Sequence, residues 1–176
     1  MRIVKRTIIY QGRIIQLVKE VLQVKGKRIV RETVQHPGAV VIVPMLDNKH
    51  IVFVRQYRHA VRRQLLELPA GTLEVGEHRR ACAKRELEEE AGWSARILEH
   101  IGQFYPSPGL ISEQITVFLA RGLTPIKPHT DLDELLIPVV MPLTEALAKI
   151  RSGVIRDAKS IIGVLFADRI LRYRKH

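Results

Sequence analysis

The segment of residues 71–93, GTLEVGEHRRACAKRELEEEAGW, is the most informative stretch of this 176-residue sequence. Small and apolar residues recur along it at helical spacing, at Ala83, Leu87 and Ala91. This spacing predicts an α-helix over residues 77–91. Gly92 follows at once, and glycine readily adopts the left-handed conformation that ends a helix. The segment therefore predicts a glycine-containing loop that leads into one helix.

The predicted helix carries a concentration of acid in a chain whose net charge is +11. Four glutamates fall within five residues, at Glu86, Glu88, Glu89 and Glu90. Glu86 and Glu90 lie one turn apart, and like charges at that spacing destabilise a helix by about 0.2–0.5 kcal/mol per pair. A hard divalent cation would offset this repulsion, because Mg²⁺ prefers carboxylate oxygens and is often shared with substrate phosphates.

A solvated charged face is the alternative interpretation of the same helix. Lys84 and Glu88 are four positions apart, as are Arg85 and Glu89, and opposite charges pair at that spacing on a helix surface. The composition of the helix alone favours this alternative. The spacing of the whole segment favours the metal site instead, because it follows a known motif.

The segment resembles the Nudix box, and every defining position of that motif is filled. Five residues separate the first two positions and seven separate the next two; the positions are Gly71, Glu77, Arg85, Glu86, Leu87, Glu89, Glu90, Gly92 and Trp93. A spaced motif of this length is a strong signal. The resemblance implies Mg²⁺-dependent hydrolysis of a nucleoside diphosphate linked to another group.

The resemblance also implies which groups hold the metal. Glu86 and Glu90 would be the principal ligands, and Glu89 an auxiliary ligand with a part in catalysis. The main-chain carbonyl of Ala70, just before the box, would complete the shell. Mg²⁺ is the expected cofactor, with Mn²⁺ as a substitute.

Four positions of the box are expected to be structural, namely Gly71, Glu77, Arg85 and Gly92. Gly71, with Gly76, lets the loop fold back on the helix. Arg85 can brace the glutamates by hydrogen bonds. Glu77 is either structural or an outer-sphere ligand.

The rest of the chain predicts an α+β fold. The first 36 residues predict a small antiparallel β-meander, with strands at 7–10, 13–24 and 28–35, and His36-Pro37-Gly38 marks a boundary before a hydrolase domain of residues 37–176. Further strands are expected at 39–46, 50–57, 95–104 and 114–121, an exposed loop at 124–133, and helices at 144–151 and 157–172. The absence of a regular βαβ rhythm favours a mixed sheet, and with the resemblance implies a Nudix-type α/β/α sandwich.

Composition narrows the class of protein further. A single cysteine cannot form an internal disulfide, and no apolar run approaches the roughly 20 residues that cross a bilayer. We therefore expect a cytoplasmic protein with no membrane association. The sequence pI near 10.2 suits nucleic-acid binding, but the basic residues are scattered and few aromatics are present to stack bases. We do not expect nucleic acid as the main partner.

The sequence that flanks the box resembles the ADP-ribose pyrophosphatase subfamily. The matching stretches are ELPAG at 67–71, YPSPG at 105–109 and IRDAKS at 155–160, and Pro108 lies fifteen residues after Trp93. The resemblance implies that ADP-ribose and water give AMP and ribose 5-phosphate. It also implies a homodimer whose N-terminal strands reach the partner's site. The alternatives are another nucleoside diphosphate sugar or a dinucleotide as substrate, a non-catalytic nucleotide-binding module, or hydrolysis of capped RNA.

Contacts with the substrate are implied at Arg55, Arg31, Glu32 and Pro108. Arg55 resembles the arginine that meets the diphosphate, and a guanidinium fork suits phosphate oxygens. The alternative for Arg55 is a surface residue at a strand end. Arg31 and Glu32 resemble the pair that holds the nucleoside end, and their alternative is a cross-strand ion pair.

Two acidic positions have open assignments. For Glu67 the alternatives are a structural hydrogen-bond acceptor, which we favour, and a substrate contact. The resemblance places a catalytic base in the run Asp131-Leu132-Asp133-Glu134, with Glu134 as the first candidate and Asp133 as the second. The alternative is a charged loop that faces water.

Overall fold

The computed structural model describes residues 1–126 and 136–173, which form two compact units. One unit contains residues 1–38 and 104–114, and the other contains residues 39–103 and the described part of residues 115–176. Across the described ranges, no helix combines the length and the apolar character that crossing a bilayer requires.

The first unit is built on an antiparallel sheet in the order β1-β2-β3. Its strands are β1 (Arg2–Gln11), β2 (Gln16–Val24) and β3 (Lys27–Gln35). Lys25 and Gly26, between β2 and β3, both have positive φ, which two-residue hairpin turns require. β1 begins earlier than residue 7, because its main chain pairs with β2 from Arg2 onward. β2 begins later than residue 13, because the Gly12 N–H bonds to the carbonyl of Ile15 in a turn.

The second unit contains two sheets. One has the order β7-β4-β9-β8 and is mixed, because β4 and β9 run parallel; the other has the order β10-β5-β6 and is antiparallel. Their strands are β4 (Ala39–Pro44), β5 (His50–Arg58), β6 (Arg63–Glu67), β7 (Ala70–Thr72), β8 (Trp93–Phe104), β9 (Ile115–Pro125) and β10 (Ile137–Pro142).

Two helices cover opposite faces of the mixed sheet, α1 (Arg79–Ala91) and α3 (Ala158–Tyr173). Helix α2 (Leu143–Arg151) packs on β10 and on α3. Val40 and Ile42 of β4 share a buried core with Leu87 of α1. Val43 projects from the opposite face, where it lies so close to Gly163 of α3 that a Cβ there would come within 3.3 Å of its side chain. The predicted α/β/α sandwich with a mixed sheet is confirmed.

Three strands do not follow from the sequence pattern: β6, β7 and β10. β7 has only three residues, and prolines 138 and 142 argue against a strand at β10. Because β10 is an edge strand, those prolines are tolerated. α1 begins at Arg79 rather than at residue 77, because the Glu77 carboxylate accepts the Glu74 N–H in the preceding turn.

Candidate active site

Helix α1 presents the glutamates of the box from a firmly bounded segment. Its N-terminus is capped by His78, whose ring nitrogen accepts the Arg80 N–H at 3.3 Å. Its C-terminus is closed by Gly92, which has a φ of 70° and whose N–H bonds to the carbonyl of Glu88 at 3.2 Å. Leu87 lies on the buried side of the helix and packs α1 against the sheet.

One guanidinium, that of Arg85, holds three carboxylates. Its Nε and Nη2 each donate to Glu77 at 3.0 Å, and its Nη1 donates to Glu86 at 2.7 Å and to Glu89 at 3.0 Å. The hydrogen bonds from Arg85 lower the pKa of Glu77 to about 2, and the acceptance of these bonds by the glutamates raises the pKa of Arg85. The structure thus brings together the bracing arginine and three of the acidic box residues. Since one cation serves three acids, the cluster keeps an excess of negative charge.

Glu86 is the most confined acid of this cluster. Its side chain is largely buried, and burial raises its pKa even though Arg85 donates to it. Gly71 lies so close that a Cβ at that position would overlap the Glu86 carboxylate. The glycine is therefore required by close approach, and it makes room for the Glu86 side chain beside β7.

Glu90 links α1 to the backbone just before the box. Its Oε2 accepts the N–H of Ala70 at 2.8 Å, and Glu90 is buried. Ala70 begins β7, where it pairs with Val41 of β4. The residue whose carbonyl was expected to complete a metal shell therefore lies directly beside one of the expected ligands.

The donor set fits Mg²⁺ by its chemistry. The groups are hard oxygens, from Glu86, Glu89, Glu90 and the Ala70 carbonyl, which Mg²⁺ prefers. Burial disfavours the charged Glu86 carboxylate, and a bound cation would stabilise that charge. Within residues 1–126 and 136–173, no three His, Cys, Asp or Glu side chains converge tightly enough to hold an ion as they stand, and Arg85 holds oxygens of both Glu86 and Glu89.

A second charged cluster surrounds Glu67, which is only 1% exposed. Arg58 donates to its carboxylate from Nε at 2.9 Å and from Nη2 at 2.7 Å, and Lys159 donates from Nζ. Burial alone would raise the pKa of Glu67, but the bonds to Arg58 and Lys159 outweigh it and lower that pKa. This geometry favours the structural interpretation of Glu67.

Arg58 and Arg55 lie on opposite faces of β5. Val54 belongs to the core shared with α1, and side chains alternate along a strand, so Arg58 projects on the same face as Val54. The nearby charge of Glu90 contributes to a raised pKa of Arg58. Arg58 was not among the expected site residues, although this alternation, counted from the buried valines, would have found it. Lys159 lies in the 155–160 stretch that resembles the subfamily, but no spacing in the sequence indicates that it meets Glu67.

Arg55 projects from the other face of β5. It lines a cavity of about 240 Å³ together with Glu145 and Lys149 of α2. Because of the alternation, its side chain points away from the face that packs on α1. The structure therefore does not bring Arg55 together with the α1 glutamates.

The expected substrate contacts of the first unit are exposed within it. Arg31 and Glu32 lie on β3, where they face Glu20 and Lys19 of β2. Lys19 and Glu32 form a cross-strand ion pair at 3.9 Å. Pro108 lies in an exposed turn of the 104–114 segment. The expected base residues, Glu134 and Asp133, lie outside the described residues.

The chain is similar to several known proteins. Residues 35–161 match the NUDIX domain family. The ADP-ribose pyrophosphatase of Bacillus subtilis strain 168 is 40% identical over 161 residues, which cover 90% of this chain and 87% of that protein. A methanol dehydrogenase activator of Bacillus methanolicus is 37% identical over 166 residues, which cover 93% of this chain and 90% of that protein.

A solved structure shares the fold. It is a crystal structure of an ADP compounds hydrolase, with a TM-score of 0.86, 23% sequence identity, and coverage of 98% of this chain and 95% of that chain. The family match and the sequence relatives confirm the predicted enzyme class, a Nudix pyrophosphohydrolase. The chain belongs to the Nudix family.

Proposed function

We propose that this protein hydrolyses the diphosphate bond of ADP-ribose, or of a closely related nucleoside diphosphate sugar, to AMP and ribose 5-phosphate. The observation that carries the proposal is the set of α1 glutamates held by Arg85 beside the Ala70 backbone. The 40% identity to an ADP-ribose pyrophosphatase over 90% of the chain supports the choice of substrate.

The proposed cofactor is Mg²⁺, with Mn²⁺ as a substitute. Glu86 and Glu90 are the proposed principal ligands, Glu89 is the auxiliary one, and the Ala70 carbonyl is the main-chain ligand. When bound, the metal offsets the charge of the diphosphate and lowers the pKa of a coordinated water. Burial of Glu86 and its confinement by Gly71 support this assignment, because a ligand held in one place loses little entropy on binding.

The chain's residues also orient the attack. Water adds to one phosphorus of the diphosphate. The bond from that phosphorus to the bridging oxygen breaks, and the other phosphate leaves with the bridging oxygen. Glu134 is our first candidate, and Asp133 our second, to orient that water and take up its proton. Arg85 and Glu77 keep the acidic side chains in place through their paired hydrogen bonds.

The proposed substrate contacts remain those of the sequence. Arg31 and Glu32 are the candidates for the nucleoside end, and Pro108 for the turn beside the substrate. Arg55 is the sequence-based candidate for the diphosphate, although its side chain projects from the face of β5 opposite to the one that packs on α1. The cross-strand pair of Glu32 with Lys19 supports a structural role for Glu32 as the alternative. Single alanine variants at these four positions separate the roles, since loss of a substrate contact raises KM whereas loss of a structural contact lowers stability.

We further propose a homodimer in which residues 1–36 form the contact region. Every residue of β1 is exposed although the strand carries Ile3, Val4, Ile8 and Ile9. β1 is also an edge strand, and an exposed apolar edge is a template for pairing with another chain.

A cytoplasmic location is proposed on the free, buried thiol of Cys82, which needs no oxidising compartment.

The test is a product analysis with Mg²⁺ in ¹⁸O-water. The panel contains ADP-ribose, GDP-mannose, a dinucleotide and capped RNA, and each releases a different pair of products. We expect AMP and ribose 5-phosphate, with the highest kcat/KM for ADP-ribose. A higher kcat/KM for another member would overturn the substrate assignment, and the labelled product would identify the phosphorus attacked.

A further inference from the structure

The beginning of α3 is tied to the strand end that precedes the box. Asp157 Oδ2 accepts the main-chain N–H of Ser160 at 2.9 Å and its hydroxyl at 2.6 Å. The Ser160 hydroxyl oxygen accepts the N–H of Leu68 at 2.7 Å, and Ser160 is fully buried. Residues 92 positions apart in the chain are thereby joined by one hydroxyl group.

Lys159 adds a charged connection at the same place. Its Nζ donates to the buried carboxylate of Glu67 and to Asp157 Oδ1, the latter at 2.8 Å. Glu67 also receives the two bonds from Arg58. Two cations, Arg58 and Lys159, thus balance two carboxylates, Glu67 and Asp157, and removal of Lys159 leaves one negative charge of this largely buried group uncompensated.

Every residue from 67 to 70 is anchored from outside its own strand segment. Glu67 is held by its side chain and Leu68 by its N–H, as described. The carbonyl of Pro69 accepts the Ile42 N–H at 2.8 Å, and the N–H of Ala70 donates to Glu90 at 2.8 Å. Two of these four anchors, at Glu67 and Leu68, come from the beginning of α3, so α3 contributes to the position of the segment that ends at Ala70.

We propose that Lys159, acting through Glu67, is a positioning residue for the metal shell. It fixes the position of residues 67–70 relative to α1, so that the Ala70 carbonyl oxygen and the Glu90 carboxylate lie side by side. Ser160 does the same through the Leu68 N–H. The inference rests on the proposed function, because it takes Ala70 and Glu90 as ligands, and partners behind metal ligands typically contribute about 10–100-fold in metal affinity.

The test measures Mn²⁺ binding directly, by the loss of the free-ion signal in electron paramagnetic resonance, without substrate. We expect Lys159→Met to raise the Mn²⁺ dissociation constant about 10-fold or more, and Lys159→Arg to restore most of the affinity. Arg172→Met, which removes an exposed pair with Asp168 on the same helix, is the matched control and should leave binding unchanged. The KM for ADP-ribose at saturating metal should stay within about twofold, because the substrate contacts are not displaced.

A second variant keeps the inference falsifiable if Lys159→Met does not fold. Ser160→Ala removes the bond to the Leu68 N–H but no charge, and it should raise the same dissociation constant. Wild-type Mn²⁺ affinity in a folded Lys159→Met or Ser160→Ala protein would overturn the positioning role while leaving the proposed function standing. The proposed function would fail instead if the wild-type protein bound no Mn²⁺. It would also fail if the Glu90→Gln variant bound Mn²⁺ as tightly as the wild-type protein does.

Discussion

At Arg85, a single side chain organises the acids of the box. It forms a two-point contact with Glu77 and single contacts with Glu86 and Glu89. The geometry combines both interpretations of the charged helix, since Arg85 and Glu89 form the i,i+4 pair of a charged surface while Glu86 is buried. A helix face that was only solvated would not bury a carboxylate.

Replacement of the proposed ligands tests this arrangement. Glu86→Gln and Glu90→Gln should each lower kcat by more than the roughly 10–100-fold that loss of an outer partner costs. The fold should persist, because burial already disfavours the charge on Glu86 and an amide removes it. Steady-state kinetics at saturating Mg²⁺, with thermal unfolding in parallel, makes the measurement. Wild-type turnover in either variant would exclude that residue as a ligand.

Gly71 offers a steric test of the same site. Gly71→Ala places a Cβ against the Glu86 carboxylate and should displace it, with a large loss of activity and a loss of stability of about 1–3 kcal/mol. Gly102→Ala is the matched control, since its Cβ would meet Phe166 of α3 instead. Kinetics and denaturant unfolding of both variants provide the comparison. Equal activity in the two variants would show that activity does not depend on the exact position of the Glu86 carboxylate.

At the scale of elements, the turn between β4 and β5 shows how a local motif contributes to stability. The Asp47 carboxylate accepts a hydrogen bond from the His50 ring at 2.8 Å and from the main-chain N–H groups of Lys49 and His50 at 2.6 and 2.7 Å. These bonds, with His50 foremost, lower the pKa of Asp47 to about 2. Asp47 therefore holds the turn by accepting three bonds as an anion.

The pH dependence of this contribution has a definite sign. A lowered folded-state pKa means that Asp47 stabilises the protein above its ordinary value of 3.8, and that the contribution disappears as the pH falls towards about 2. Asp47→Ala should thus lower the melting temperature near neutral pH and lose its effect at about pH 2. The melting temperature of Asp47→Asn near neutral pH should lie between those of the wild-type protein and Asp47→Ala, since asparagine keeps a hydrogen-bond acceptor but no charge. A difference in melting temperature that did not vary with pH would contradict this account.

At the scale of the molecule, the unusual feature is the exposed first strand. A chain that buries Val18 and Leu22 on β2 but leaves all ten residues of β1 exposed has a surface suited to association. The chain mass is 20.1 kDa, and we expect light scattering at micromolar concentration to give twice that value. Ile8→Lys should shift the mass towards the monomer, whereas Leu165→Lys, at an exposed apolar position of α3, should not. A monomeric wild-type protein would end the dimer proposal.

The sequence by itself determined the family, the α1 helix and the acids on it, because those features depend on spacing within one short segment. The Nudix box carries its own geometry: Gly71 and Glu86 meet across a loop, and Arg85 reaches neighbours on its own helix. Local patterns of this kind can be read without knowing the rest of the fold.

Only the tertiary structure decided how Glu67, Arg58, Lys159 and Ser160 come together. Lys159 and Glu67 are 92 positions apart in the chain. The spacing of residues in the sequence does not predict that the beginning of α3 packs against the end of β6. The same reason explains β6, β7 and β10, which are short or proline-containing strands defined by their neighbours. It explains Arg55 as well, since the direction of its side chain follows from which face of β5 packs on α1.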